Sequence, residues 1–257
     1  MLTLGNVPYL NTVPLAAFLP PDVGQREADP GVLADWLRAG TVDAAMLPVA
    51  EALRGAGDGY VGRYGIACDG GVESVLAFLP VADAPPAAWP RHVVLDPASR
   101  TSQALLRVLL ERRFGLAPTY EVAPAPGPDP RSRPDAVTLV IGDRALRHRE
   151  GWPGGVLDLG AAWKEWTGLP FVFARWTARR GLPAAEREAL ARILDEAART
   201  GLAQRDALAT AHGPRHGLSA EAARRYFRKA VVYEIDARAE AGLERFAREL
   251  RALEGRD

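Results

Sequence analysis

The sequence predicts an α/β fold in two lobes, and three observations predict it. Short apolar runs alternate with helix-patterned stretches, the signature of sheet strands separated by covering helices. The chain has 257 residues, enough for two modest domains. A proline break at Ala84-Pro85-Pro86 parts the chain where a second lobe would begin.

In chain order, Leu2-Thr3-Leu4 opens as a strand and stops at Gly5. Asp29-Pro30 then starts a helix, Asp as cap and Pro at the first helical position. Val32, Leu33, Trp36 and Leu37 give that helix an apolar face, and Gly40 closes it. Residues 44–47 and 74–79 read as short buried strands. Beyond the break, residues 91–95 form a strand, Pro97-Ala98-Ser99 a turn, and residues 101–113 a helix ending at Gly115. Residues 123–134 are a proline-rich surface loop. Residues 136–141 are the most strand-like segment, followed by Gly142-Asp143 and a short helix, with residues 169–173 as the next strand. The remainder is mostly helical. Leu190, Ile193, Leu194 and Ala197 line one helix, closed by Gly201; Leu243, Phe246, Ala247, Leu250 and Leu253 line another, capped by Asp236.

Composition narrows the function. Hydrophobic content of 48% and charged content of 25% are those of a chain that buries an ordinary globular core. The 32 basic and 32 acidic residues cancel, so the basic stripe expected of a nucleic-acid binder is missing and that partner class is set aside. Cys68 is the single cysteine, which rules out an intramolecular disulfide. The opening MLTLGNVPYLNTVP has no basic n-region and no long apolar run, so a cytoplasmic protein is expected. No stretch has the ~20 apolar residues of a membrane span.

Most motif-like features have plain readings. Residues 57–62 fit G-x-G-x-x-G, but a helical pattern precedes them and a strand-like stretch follows, the reverse of a dinucleotide-binding turn. An ordinary glycine turn is expected there. His212 and His216 have metal-pair spacing, yet Gly213-Pro214 breaks the helix that spacing needs. Cys68 reads as a small buried residue. Ser99, Arg100, Thr101 and Ser102 lie between a strand and a helix. They either cap that helix or present its first amides to a carboxylate or phosphate. Asp143 follows an apolar strand, at the end where open α/β sheets place ligands, and is equally a helix cap. Asn11, after the first strand, and Ser74, opening a later one, stand out only with further help.

That help comes from several segments together. Residues 6–15, NVPYLNTVPL, resemble the opening signature V-x-Y-L-N-T-x-P-L of chorismate dehydratases, which start the futalosine route to menaquinone. Residues 70–78 (GGVESVLAF), 95–106 (LDPASRTSQALL) and 139–146 (LVIGDRAL) match in the same order. A D-L-G…W…T-G-L-P-F-V-F block over 157–173 and GLERF at 242–246 follow. The first and the fifth of these segments are specific, and the resemblance spans nearly the whole chain. One departure is Leu47-Pro48-Val49-Ala50-Glu51, where relatives often carry a Ser-rich turn.

The resemblance implies a type II periplasmic-binding-protein-like fold with a ligand cleft between lobes. It assigns residues 1–88 and 176–257 to the first lobe and 89–175 to the second. It implies dehydration of chorismate to 3-[(1-carboxyvinyl)oxy]benzoate with no redox cofactor or metal. Asn11 and Ser74 are the implied catalytic pair; Thr12, Ser99, Arg100, Thr101, Ser102 and Asp143 are the implied substrate contacts. Two other readings stay open. One is a non-catalytic solute-binding protein, which the absence of a signal peptide disfavours. The other is the sister enzyme 1,4-dihydroxy-6-naphthoate synthase, which the Y-L-N-T opening disfavours.

Overall fold

The structure, a computed structural model, describes residues 2–255. It forms two compact units, each built from two stretches of chain. The first takes the residues up to Ala67 and Val172–Ala237; the second takes Cys68–Phe171 and the chain from Arg238 onward.

The first pass through the first unit gives β1 (Thr3–Asn6), α1 (Val13–Ala16), β2 (Gly24–Glu27), α2 (Pro30–Arg38), β3 (Ala44–Pro48), α3 (Val49–Leu53) and β4 (Tyr60–Cys68). The chain then builds β5 (Val75–Leu79), β6 (His92–Leu95), α4 (Arg100–Val108), β7 (Thr119–Val122), β8 (Val137–Ile141), α5 (Gly142–Arg149), β9 (Gly155–Asp158) and α6 (Leu159–Thr167). It returns through β10 (Phe171–Ala178), α7 (Ala184–Ala203), α8 (Arg205–His212), α9 (Ala220–Arg225) and β11 (Val232–Glu234), and ends in α10 (Ala237–Glu254).

The first unit's sheet runs β11-β4-β10-β3-β1-β2. β1 is parallel to both β2 and β3, whereas β10 is antiparallel to β3. β3 is buried along its length, as its unbroken apolar run requires of a strand covered on both faces. Leu33, Ala34 and Leu37 of α2 pack over it with Val42 and Ala45. Val32 points out, 43% exposed, so the apolar face lies one residue round from the expected one. Gly201 does not close α7 but sits inside it, because a Cβ there would lie 2.0 Å from the Pro14 carbonyl oxygen of α1. That glycine lets two helices approach.

The second unit's sheet runs β7-β6-β8-β5-β9. β6 is parallel to β7 and β8; β5 is antiparallel to β8 and β9. The helix expected over 101–113 starts at Arg100, is regular to Val108, and then widens into a π turn over Leu109–Arg113. Trp163 of α6 and Phe246 of α10 meet Phe171 edge-on in the core of this unit. α10 seats closely because Gly242 would otherwise clash with the Pro170 carbonyl. These contacts group α10, like residues 68–88, with the second unit, whereas the sequence assigned both stretches to the first.

Among the described residues, no helix is long and apolar enough to cross a membrane. The glycine-rich stretch leads from α3 into β4: Gly59 takes a positive φ in the turn before the strand, and Gly62, inside the strand, takes one too.

Candidate active site

Strand directions gather most of the expected residues of the second unit at one end of its sheet. The parallel strands β6 and β8 end there, β9 ends there, and β5 begins there. Val75 is opposite Ile141, and Leu76 opposite Asp158. Ser74 therefore lies beside Gly142-Asp143, with residues 96–102 on the neighbouring strand's exit. The helices α4, α5 and α6 all start at this end. Their first amides and dipoles make it favourable for anionic groups.

Ser74 is buried, 2% exposed, just before β5 begins at Val75. Its backbone is held on both sides: its N–H donates to the Val72 carbonyl, and its carbonyl accepts from Gly142 N–H, each at 2.7 Å. Ser99 caps α4, its Oγ accepting from Ser102 N–H at 3.2 Å and from the Ser102 hydroxyl at 3.0 Å. Thr101 and Ser102 are buried, and Arg100 is exposed at the helix start. Asp143 lies within the first turn of α5; the cap position is occupied by Ile141.

Two carboxylates that the sequence did not single out, one buried and one half-buried, tie these loops together. Asp96 is fully buried. It accepts from Ala98 N–H at 3.0 Å and from Ile141 N–H at 3.1 Å, and takes an ion pair from Arg144 of α5. Burial pushes its pKa up, against the lowering pull of the Ala98 amide and Arg144. Asp158 caps α6 and reaches across to the loop before Ser74. The available signals were an acidic residue ending an apolar strand and one directly preceding a helix.

In the first unit, Asn11 sits in a single 3₁₀ turn, Leu10–Thr12, between β1 and α1. Its Oδ1 is buried and has no hydrogen-bond partner. Thr12 faces inward, its hydroxyl directed at the carbonyls of Val7 and Tyr9 at 3.0 and 2.9 Å. It shapes the turn that carries Asn11. At the departure from the family pattern, Pro48 ends β3 and Glu51 is buried, bonded to Arg38 and Arg54. That turn holds an ion-pair cluster where hydroxyls were expected.

The remaining candidates keep their plain readings. His212 ends α8 and His216 lies in the following 3₁₀ turn. Burial, helped by Arg215 and His216, pushes the pKa of His212 down. Cys68 is buried, and burial pushes its thiol pKa far up.

A model of a family described as menaquinone biosynthesis matches residues 2–252. The chorismate dehydratase of Campylobacter jejuni is 25% identical over 262 residues, covering 98% of this chain and 99% of that protein. The chorismate dehydratase of Thermus thermophilus is 37% identical over 143 residues. That match covers 49% of this chain and 51% of that protein, so it spans about half the length of either. Among solved structures, an Archaeoglobus fulgidus protein superposes with TM-score 0.73 at 14% identity, covering 98% of this chain and 97% of that one. The periplasmic aliphatic sulphonate binding protein of Escherichia coli superposes with TM-score 0.63 at 18% identity, covering 96% and 85%. The alkanesulfonate-binding protein of Xanthomonas axonopodis pv. citri gives 0.69 at 14%, covering 98% and 93%. The fold is that of the periplasmic binding proteins.

Proposed function

The chain belongs to the menaquinone biosynthesis family, and from that premise we propose that it is a chorismate dehydratase. The observation that carries this reading is the end-to-end match with the Campylobacter jejuni enzyme. The reaction removes a proton from C3 of chorismate and hydroxide from C4, leaving an aromatic ring: 3-[(1-carboxyvinyl)oxy]benzoate and water.

The local chemistry supports it. Substrate and product each carry two carboxylates, and three helix N-termini gather beside Ser74 and residues 99–102. The orphaned Oδ1 of Asn11 is an acceptor that a substrate hydroxyl would satisfy, fixing the orientation of the C4–O bond. Asn11 and Ser74 are both uncharged, so neither is the base. In this reading the carboxylate of the enolpyruvyl arm takes the C3 proton. The C3–H electrons form the new ring double bond as C4–O breaks. Asn11 and Ser74 orient the substrate and hydrogen-bond the leaving hydroxyl or developing charge. Thr12, Ser99, Arg100, Thr101, Ser102 and Asp143 complete the binding surface, Thr12 by holding the Asn11 turn. A cytoplasmic location goes with this reading.

Mixing the pure protein with chorismate and following the absorbance of the aromatic product tests it. Turnover is expected. Tight binding of chorismate without turnover would instead favour a solute-binding protein, and no response to chorismate would overturn the substrate assignment.

A further inference from the structure

The turn that delivers Ser74 is held in an uncommon shape from outside itself. Its closing bond runs from Ser74 N–H to the Val72 carbonyl, two residues back, and Glu73 between them has φ 61°. A three-residue turn around a left-handed centre is the rarer, strained kind of γ-turn. Glycine takes that conformation freely, whereas a residue with a Cβ does so at a cost. Strain of this kind persists only where the surroundings over-determine it.

Among those surroundings, one side chain holds the backbone of both Val72 and Glu73. Asp158 Oδ2 accepts from Glu73 N–H at 2.9 Å, and Oδ1 accepts from Val72 N–H at 3.0 Å. The same Oδ1 also accepts from Gly160 and Ala161 N–H at 3.0 and 3.1 Å, capping α6. Antiparallel pairing of β5 and β9 sets Asp158 opposite Leu76, two residues past Ser74, which brings the carboxylate to the turn.

We infer that Asp158 is a positioning residue: it holds Glu73 left-handed and so fixes the direction in which Ser74 leaves the turn. The inference rests on the proposed role of Ser74 in dehydration. The bland reading is that Asp158 only caps α6, and Asp158→Asn separates the two. Asparagine caps a helix about as well as aspartate, but it cannot present two acceptor oxygens to Val72 and Glu73.

The expected result for Asp158→Asn is a fall in kcat of ~10-fold or more, since small misplacements of a reacting group are costly, with KM changed far less. Adding Glu73→Gly supplies a residue that adopts the turn unaided. The double variant should recover most of the lost kcat, while Glu73→Gly alone stays near the parent. A double variant no faster than Asp158→Asn would overturn the inference, because a lost helix cap is not repaired at residue 73. Hydrogen exchange gives a readout independent of turnover. In Asp158→Asn the amides of Val72 and Glu73 should exchange faster while those inside α6 keep their protection. If the parent itself fails to turn over chorismate, the dehydratase reading falls, and exchange decides the positional claim. Unchanged exchange at Val72 and Glu73 would overturn it.

Discussion

Asn11 and Thr12 are neighbours with opposite duties, and substitutions should separate them. Asn11 keeps a buried acceptor unsatisfied, a state that typically costs about 1–3 kcal/mol. Asn11→Ala should therefore leave the thermal midpoint unchanged or raised while kcat falls by ~10²-fold or more. Parent-rate turnover by this variant would remove Asn11 from the site. Thr12→Val should do the reverse, taking the hydroxyl away from the Val7 carbonyl while Tyr9 keeps the residue-12 N–H, and lowering stability by about 1–3 kcal/mol in a urea titration. Ser74→Ala should lower kcat like Asn11→Ala, although its burial forbids the assumption that stability is untouched. Cys68 should resist thiol reagents in the native protein, because it is buried and its thiol pKa is pushed up. Rapid labelling without unfolding would contradict that burial. Asn11 and Ser74 were legible because each lies within a contiguous motif. Asp96 and Asp158 lie within matched segments too, but what they do was not legible, because the amides they hold lie 45 and 86 residues away along the chain, and no local pattern records such a bond.

At the level of elements, the sequence announced what is buried and hid what is exposed. β3, β5 and β8 are buried throughout and read as apolar runs, that of β8 broken only by Thr138. β2 (GQRE) and β7 (TYEV) are edge strands whose side chains are largely exposed, so nothing in their composition marks them. Gly201 looked like a helix stop for a similar reason: its purpose is set by Pro14, remote in sequence. Gly201→Ala would ordinarily strengthen a helix by about 1 kcal/mol. Here it should lower the unfolding midpoint, because the added methyl meets the Pro14 carbonyl. It should lower kcat too, since α1 continues directly from the turn that holds Asn11. A midpoint raised by the substitution would refute that packing.

His148, in the last turn of α5, carries a pH dependence. Burial, with Arg131, Arg144 and Arg147, pushes its pKa below the ordinary value near 6.5 against the opposing pull of Asp129. Arg131 donates to Nδ1, which must then be unprotonated. With the folded pKa depressed, this contribution to stability is present above the unfolded value and is lost as pH falls through the folded one. Denaturation midpoints should drop on acidification below about 6.5, and His148→Gln should flatten that slope.

For the whole molecule, ligand binding should act through mass action. Product at about a hundred times its dissociation constant should stabilise the fold by about 2.7 kcal/mol, read as a rise in thermal midpoint; no shift at saturation would contradict binding. The existence of two units was legible from length and alternation, but their limits were not. Ala84-Pro85-Pro86 leads into a 3₁₀ turn, Pro86–Ala88, inside the second unit. The three divisions fall within β4, at the start of β10 and at the start of α10, inside continuous elements that give no proline or glycine signal.

That interleaving has a consequence for synthesis. β10 lies between β3 and β4 in the first sheet, yet it follows all five strands of the second sheet in the chain. On a translating ribosome the first sheet would wait, its central seam unfilled, while β5 to β9 already have every partner they need. The sheet begun first is thus the one completed last, and the nascent chain must keep two open strand edges from pairing wrongly until residue 178 has emerged.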